Sequence, residues 1–316
     1  MQTHFSLAAL ADPDTARAEK ILRACVHCGL CTATCPTFLL TGDELDSPRG
    51  RIYLIKEMLE NERPADARTT RCLDRCLSCL SCMTTCPSGV NYQHLVDHAR
   101  AHIERTHNRP PHERLFRGLL AYALARPKAF RLALRGSGMV RPFAAQLPLF
   151  LRNMLSLGPA RLPAPSRVDR PQVFAAQGPR IMRVALLTGC AQTVLDTNIN
   201  EATVRLLTRL GVEVVVVKGA GCCGALAHHL GKKEEALVFA KRNIEAWTQE
   251  LETSGLDHVV INTSGCGVHV RDYGYLFQDD PGLERAAKKW MPVFRDKRAL
   301  RFWNRSRFLR LGDSAP

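Results

Sequence analysis

The sequence is short of several features that mark large classes of protein. None of its 316 residues lies in an apolar run long enough to cross a bilayer as a helix, which takes about 20 residues. Ahead of Asp12 only the short stretch Phe5–Ala11 is apolar, and no basic segment precedes it. No secretory leader is therefore expected, and the expected location is cytoplasmic, with room for peripheral contact at the inner face of the cytoplasmic membrane. The one GxGxxG string, Gly219-Ala220-Gly221-Cys222-Cys223-Gly224, carries two cysteines and is not read as phosphate-binding, and there is no P-loop and no nucleophile elbow, which argues against a dinucleotide enzyme, an NTPase and an α/β-hydrolase. Aromatic residues are only 6% of the chain, few for stacking on bases. Acidic residues are scarce too, 30 against 44 Lys and Arg, for a formal charge of +14. Yet ten Lys/Arg and two Asp fall between Arg285 and the end, so that segment alone carries +8. The remainder is close to an ordinary globular protein, and no nucleic-acid partner is expected.

What the chain has is cysteine: thirteen, an odd count, which without a leader favours metal or redox chemistry over disulfides. Eight of them form two copies of one pattern. The first is Cys25-x2-Cys28-x2-Cys31-x3-Cys35-Pro36, and the second, 51 residues on, is Cys76-x2-Cys79-x2-Cys82-x3-Cys86-Pro87. This is the bacterial ferredoxin run. Three cysteines two residues apart wrap a loop around one face of a cubane. The fourth, followed by proline, is turned towards the other cluster. One [4Fe–4S] cluster would then use Cys25, Cys28, Cys31 and Cys86, and the second Cys76, Cys79, Cys82 and Cys35. Zinc also takes four thiolates, but its sites usually pair two Cys-x-x-Cys knuckles. Cys72 lies outside the pattern and is expected to be a buried thiol, and His27 a loop residue. Between and after the runs, Ile52, Ile55, Met58 and Leu59, then Leu95, Ala99 and Ile103, recur at helical spacing. The expectation is an α-helical ferredoxin domain.

A second group comprises Cys190, Cys222-Cys223-Gly224 and Cys266. Three apolar runs, Arg183–Leu187, Glu213–Val217 and His258–Asn262, read as strands. They alternate with helical stretches, Asn198–Leu210 capped by Gly211, and Lys232–Leu251. That order predicts a parallel sheet with each cysteine just past a strand's C-terminal end, the edge where open α/β sheets bind ligands. Six glycines flank these thiols: Gly189, Gly219, Gly221, Gly224, Gly265 and Gly267. A further cluster, another metal such as zinc, a cycling disulfide, or plain buried thiols beside turn glycines all fit the pattern.

The fold class expected is α+β and multidomain: an N-terminal α-helical two-cluster ferredoxin domain followed by an α/β parallel-sheet cysteine-rich domain. The boundaries expected are 10–110 for the ferredoxin domain, 111–157 for a helical connector, 158–180 for a proline-rich linker and 181–280 for a cysteine-rich half-domain. Residues 281–316 would be a basic tail, poorly ordered or frameshifted. The connector sets Leu115, Phe116, Leu119, Leu120 and Leu124 among seven arginines. Such a segment either packs on a neighbour with a solvated face or lies on a membrane surface.

These motifs carry a family resemblance. Ala24-Cys25-Val26-His27-Cys28-Gly29, Gly42-Asp43-Glu44, Pro48-Arg49-Gly50-Arg51 through Lys56, and Cys86-Pro87-Ser88-Gly89-Val90 resemble the iron–sulfur subunit of bacterial glycolate oxidase. The likeness continues through Gly189-Cys190-Ala191-Gln192, Gly221-Cys222-Cys223-Gly224 and Ser264-Gly265-Cys266-Gly267. It implies a chain with no catalytic residue of its own. FAD on a partner subunit would oxidise glycolate to glyoxylate, and this chain would pass the electrons to a quinone or another acceptor. Subunits of lactate or glycerol-3-phosphate dehydrogenases, and heterodisulfide-reductase-like proteins acting at the Cys-Cys-Gly site, share these parts. The family usually continues into a second Cys-Cys-Gly half, whereas no cysteine follows Cys266 here. The chain is therefore expected to be C-terminally truncated.

Overall fold

In the computed structural model of the protein, residues 1–159 and 161–289 are described. The stretch 290–316 lies outside them, and with it most of the expected tail. The tail's first nine residues, Pro281–Lys289, form a helix. Two compact units emerge, one of residues 1–121 with 226–236, the other of the remaining chain.

The first unit is helical. Its helices begin where local chemistry starts them. Asp12 accepts the Thr15 N–H at 2.9 Å ahead of Pro13–Ala24, and Ser47 accepts the Gly50 N–H at 2.9 Å ahead of Pro48–Glu60. Asp66 caps Ala67–Asp74, and Asn91 caps Tyr92–Thr106. Proline holds the first position of two of these, where its missing N–H costs nothing. The apolar stripes meet in one core that includes Leu22, Ile52, Ile55, Met58, Leu59, Leu73, Leu95, Ala99 and Ile103. All seven residues picked out by helical spacing are in it. At about 1.5–3 kcal/mol for each large apolar side chain, that core anchors the loops between the helices.

The second unit is built on a four-stranded sheet of order β1-β3-β2-β4, with β1 at Gln172–Phe174, β2 at Met182–Leu186, β3 at Val212–Val216 and β4 at His258–Val260. β2 pairs in parallel with both β3 and β4, with Val184 opposite Val214 and Ala185 opposite Val259. Side chains alternate between two buried faces. Val184, Leu186, Val212, Val214 and Val216 face one cluster, and Ala185, Leu187, Val215 and Val217 join Ile244 and Trp247 in the other. Such two-sided burial is typical of parallel strands. The helix Asn198–Arg209 ends one residue before Gly211, whose φ is +79°.

One strand was not expected. β1 lies inside the proline-rich 158–180 stretch and runs antiparallel to β3, so the sheet is mixed. Three residues are too few to show alternation, and an edge strand tolerates nearby prolines because one of its sides makes no ladder.

Candidate metal centres

In the first unit each cysteine run leaves the end of a helix as an irregular loop. Cys25 follows Pro13–Ala24 directly, and Cys76 follows Ala67–Asp74 by two residues. The loops are conformational copies. His27 and Gly29 in the first have φ of +60° and +83°, and Ser78 and Leu80, at the matching places in the second, have +50° and +59°. Left-handed residues curl a chain tightly enough for cysteines two apart to face one centre. His27 is thus an exposed loop residue, as expected, and Cys72 a buried thiol 1% exposed. Cys35 and Cys86 each precede a proline, and Cys35 opens the helix Pro36–Thr41.

The fold brings these cysteines together across the repeat. Cys25, Cys28, Cys31, Cys82 and Cys86 line one pocket, together with Val26, Leu30, Ile52 and Val90. The thiol of Cys31 is raised by burial and by the charge of Cys25 and Cys86. Cys82 is pushed up to about 12 by burial, then by Cys76, Cys31, Cys79 and Cys35. Buried thiols that oppose each other's ionisation are a donor set for a soft cation, which removes the penalty by taking the protons' place. The residues therefore fit iron–sulfur ligation.

Several side chains that spacing could not flag hold these loops. Arg51, 1% exposed, donates from Nε to the Cys72 carbonyl at 2.7 Å and from Nη2 to Thr37 Oγ1 at 3.0 Å. Arg100, 6% exposed, donates to the carbonyls of Leu73 (3.1 Å) and Cys76 (2.6 Å) and to Ser78 Oγ (2.6 Å). Asp97 lies 4.0 Å from Arg100, pairs with His229 Nδ1 at 3.0 Å and lies 3.5 Å from His228 Nδ1. These two histidines and the carboxylate could surround a cation. With a guanidinium already beside the carboxylate, the group is an ion network that steadies Arg100. Its separation in sequence, from 97 to 229, hid it.

In the second unit the four other cysteines converge past the ends of β2, β3 and β4. The Cys222 and Cys190 sulfurs are 3.6 Å apart, and Gly224 N–H points at Cys222 Sγ at 3.5 Å. Cys222 is held below the ordinary thiol range because Cys190 and Cys223 donate to it, while Cys190 is raised by the same contact and by burial. Cys223 also donates to Cys266, which lies in the first turn of Ser264–Arg271. The loop is locked from behind by Asn243, which is fully buried. Its Oδ1 accepts Gly221 N–H at 2.8 Å, and its Nδ2 donates to the Cys222 carbonyl at 2.9 Å. Tyr273 donates to the Cys223 carbonyl at 2.7 Å. Gln192, Asn200 and Asn262 tie the loop after β2 to that after β4, with Gln192 Nε2 donating to Asn200 (2.7 Å) and to Asn262 (2.9 Å). A polar Asn243 in the otherwise apolar stripe Phe239, Ala240, Ile244, Trp247 is a signal the sequence did carry.

Two sulfur-lined regions of different architecture define the class: an iron–sulfur protein that joins a ferredoxin-type domain to a cysteine-rich domain. The family described as 4Fe-4S dicluster domain matches residues 21–90, and that described as cysteine-rich domain matches residues 184–271. More particularly, the chain is a relative of glycolate oxidase iron–sulfur subunits, as its motifs suggested. It is 43% identical to the glycolate oxidase iron–sulfur subunit of Escherichia coli (strain K12) over 280 residues, 89% of this chain and 65% of that one. It is 32% identical to the probable glycolate oxidase iron–sulfur subunit of Bacillus subtilis (strain 168) over 88% of this chain and 65% of that one. Lactate utilization protein A of Bacillus subtilis (strain 168) is 38% identical over 34% of the chain. The chain thus spans about two thirds, 65%, of the two subunits it matches over most of its length. No solved structure matches it.

Proposed function

We propose that this chain is the electron-transfer subunit of a glycolate oxidase complex. Cys25, Cys28, Cys31 and Cys86 hold one [4Fe–4S] cluster, and Cys76, Cys79, Cys82 and Cys35 hold the other. When bound, each cluster supplies a one-electron carrier. The protein's own part is to present the thiolates, exclude water from the pocket and fix the loops through Arg51 and Arg100. The substrate is oxidised on a partner subunit carrying FAD, and the electrons leave to a quinone or another acceptor. The observation that carries this reading is the pocket that Cys82 and Cys86 of the second run share with Cys25, Cys28 and Cys31 of the first, supported by identity to glycolate oxidase subunits along most of the chain. Cys190, Cys222, Cys223 and Cys266 form a third thiol set able to take a further cluster or metal, and the close Cys190–Cys222 approach also suits a thiol–disulfide role.

Peripheral contact with the cytoplasmic membrane fits the helices Pro127–Val140 and Leu149–Leu157. Leu132, Met139, Leu149 and Leu157 are 70–86% exposed there among arginines. Among the described residues no helix is long and apolar enough to cross a membrane.

Anaerobic reconstitution with iron and sulfide counting tests the reading. The full chain should bind at least eight irons, and Cys28→Ser or Cys79→Ser should each lose about four and stop electron passage from reduced flavin subunits to quinone. Zinc in place of iron, or unchanged iron in both variants, refutes it.

A further inference from the structure

The two cysteine sets of the first unit have the same ligands but different electrostatics. Beside the set Cys35, Cys76, Cys79 and Cys82, Arg51 turns Nη1 towards Cys35 Sγ at 3.8 Å. Its Nη2 lies 3.4 Å from Asp46 Oδ1, and Arg75 Nη1 pairs with Asp46 Oδ2 at 2.8 Å. Asp46 and Arg51 are 0% and 1% exposed, whereas Arg75, 49% exposed, reaches Asp46 from the solvent side. Arg51 thus sets a buried guanidinium beside the Cys35 sulfur. The hydroxyl of Tyr92, 3% exposed, points at Cys76 Sγ at 3.7 Å.

The set Cys25, Cys28, Cys31 and Cys86 has a different shell. Val90 N–H approaches Cys86 Sγ at 3.5 Å, a neutral backbone donor. The nearby guanidinium of Arg49 is paired with Glu44 at 2.7 Å and is 31% exposed, so water and a counter-charge screen it. The pocket wall is largely apolar, and although Tyr92 also lines it, the Tyr92 hydroxyl is directed at Cys76 of the other set.

We propose that Arg51 and Tyr92 bias the two centres, so that a single electron entering this unit resides at the set Cys35, Cys76, Cys79 and Cys82. The inference rests on the cluster ligation proposed above. Reduction adds one negative charge to a cluster and its thiolates. A buried positive charge and donors to sulfur stabilise that added charge, and buried groups are screened far less than exposed ones. Arg51 and Tyr92 thus raise the potential of one centre while leaving its neighbour's low. An electron from a one-electron donor, such as a flavin semiquinone, would reside mainly at this centre whichever of the two it enters by.

Potentiometric titration of the anaerobically reconstituted full chain, followed by EPR, tests this. The signal that disappears in Cys79→Ser should be the one reduced at the higher potential. Arg51→Met should lower reduction of that centre at least tenfold at a fixed potential, about 59 mV for one electron. Arg51→Lys should recover part of the loss, and Tyr92→Phe should give a smaller shift in the same direction. The Cys28-dependent signal should stay in place in all three. A Cys79-dependent signal at the lower potential overturns the proposal. So does one that does not move in iron-replete Arg51→Met and Tyr92→Phe proteins. If Arg51→Met binds no iron, Tyr92→Phe decides, because it removes one hydroxyl and no ligand. A wild-type chain without iron–sulfur signals refutes the ligation itself, a result separate from an unmoved potential.

Discussion

The first unit curls its sulfur loops with left-handed backbone and braces them with two buried arginines, whereas the second pins its sulfur loop with a buried amide and a buried phenol. In the first, the cysteines sit in loops curled by left-handed residues at matching places in each run, and helices on either side fix where the loops start and stop. In the second, the cysteines follow strand ends, and the loop that carries two of them is pinned by a buried amide and a buried phenol. Spacing is rigid where the backbone must wrap one object. It can be loose where a sheet edge gathers residues from far apart. The difference shows what each region should tolerate. Loop conformation should govern the first, and a few polar contacts the second.

The largest effect expected from breaking the second design is at Asn243. Asn243→Ala strands the Gly221 N–H and the Cys222 carbonyl in a buried place, where each unpaired group costs about 1–3 kcal/mol. A loss of about 3 kcal/mol confined to the second unit should follow. Hydrogen exchange read by mass spectrometry should show faster exchange around 219–224 and unchanged exchange in 48–60. Loosening in both units alike would erase the contrast.

The contrast also explains what the sequence disclosed. The eight ferredoxin cysteines were legible because the constraint is local: three offsets and a proline state it completely. The three parallel strands were legible because two-sided burial leaves continuous apolar runs. Arg51 and Arg100 were not, although Arg51 stands in a quoted motif. Their partners, such as Cys72 and Leu73, lie 21 and 27 residues away, and nothing periodic links an arginine to a carbonyl at that distance. β1 was hidden by its length, and Tyr273 by lying 50 residues from the carbonyl it serves.

A second effect belongs to the helical unit alone. Burial lowers His98 from 6.5 to about 4, with Asp14 and Asp12 opposing that shift and His102 and Arg105 adding to it. Its Nε2 is buried without a hydrogen-bond partner among the described residues. An imidazole with a depressed folded-state pKa binds fewer protons folded than unfolded between about pH 4 and 6.5. Stability is therefore full above pH 6.5 and falls as pH drops through that window. The loss between pH 7 and pH 5 is about 2 kcal/mol at 1.36 kcal/mol per unit. Thermal unfolding of the first unit should lose that much of its pH dependence in His98→Gln. A curve of unchanged slope would mean the ring is solvated enough to charge in place.

The smallest effect compares the two loops directly. Gly29 and Leu80 occupy the same place with φ of +83° and +59°. Leucine is unfavourable there by about 1–2 kcal/mol, since Cβ crowds the next carbonyl. A partly buried side chain returns some of that. Leu80→Gly should therefore shift stability by less than about 1 kcal/mol, relief of strain offsetting lost contact and added unfolded-state freedom. Gly29→Ala is the sharper half of the pair. Its new Cβ would stand 2.6 Å from Arg49 Nη1, so the arginine must move off, weakening its pair with Glu44. Backbone strain of about 1 kcal/mol adds to that, and an exposed ion pair contributes little. Calorimetry on the two iron-loaded variants should thus find Gly29→Ala destabilised by about 1 kcal/mol and Leu80→Gly nearly neutral. Equal costs would mean that the loops are copies in conformation and also in what surrounds them, and the asymmetry assigned to Arg51 would then have to come from the arginine alone.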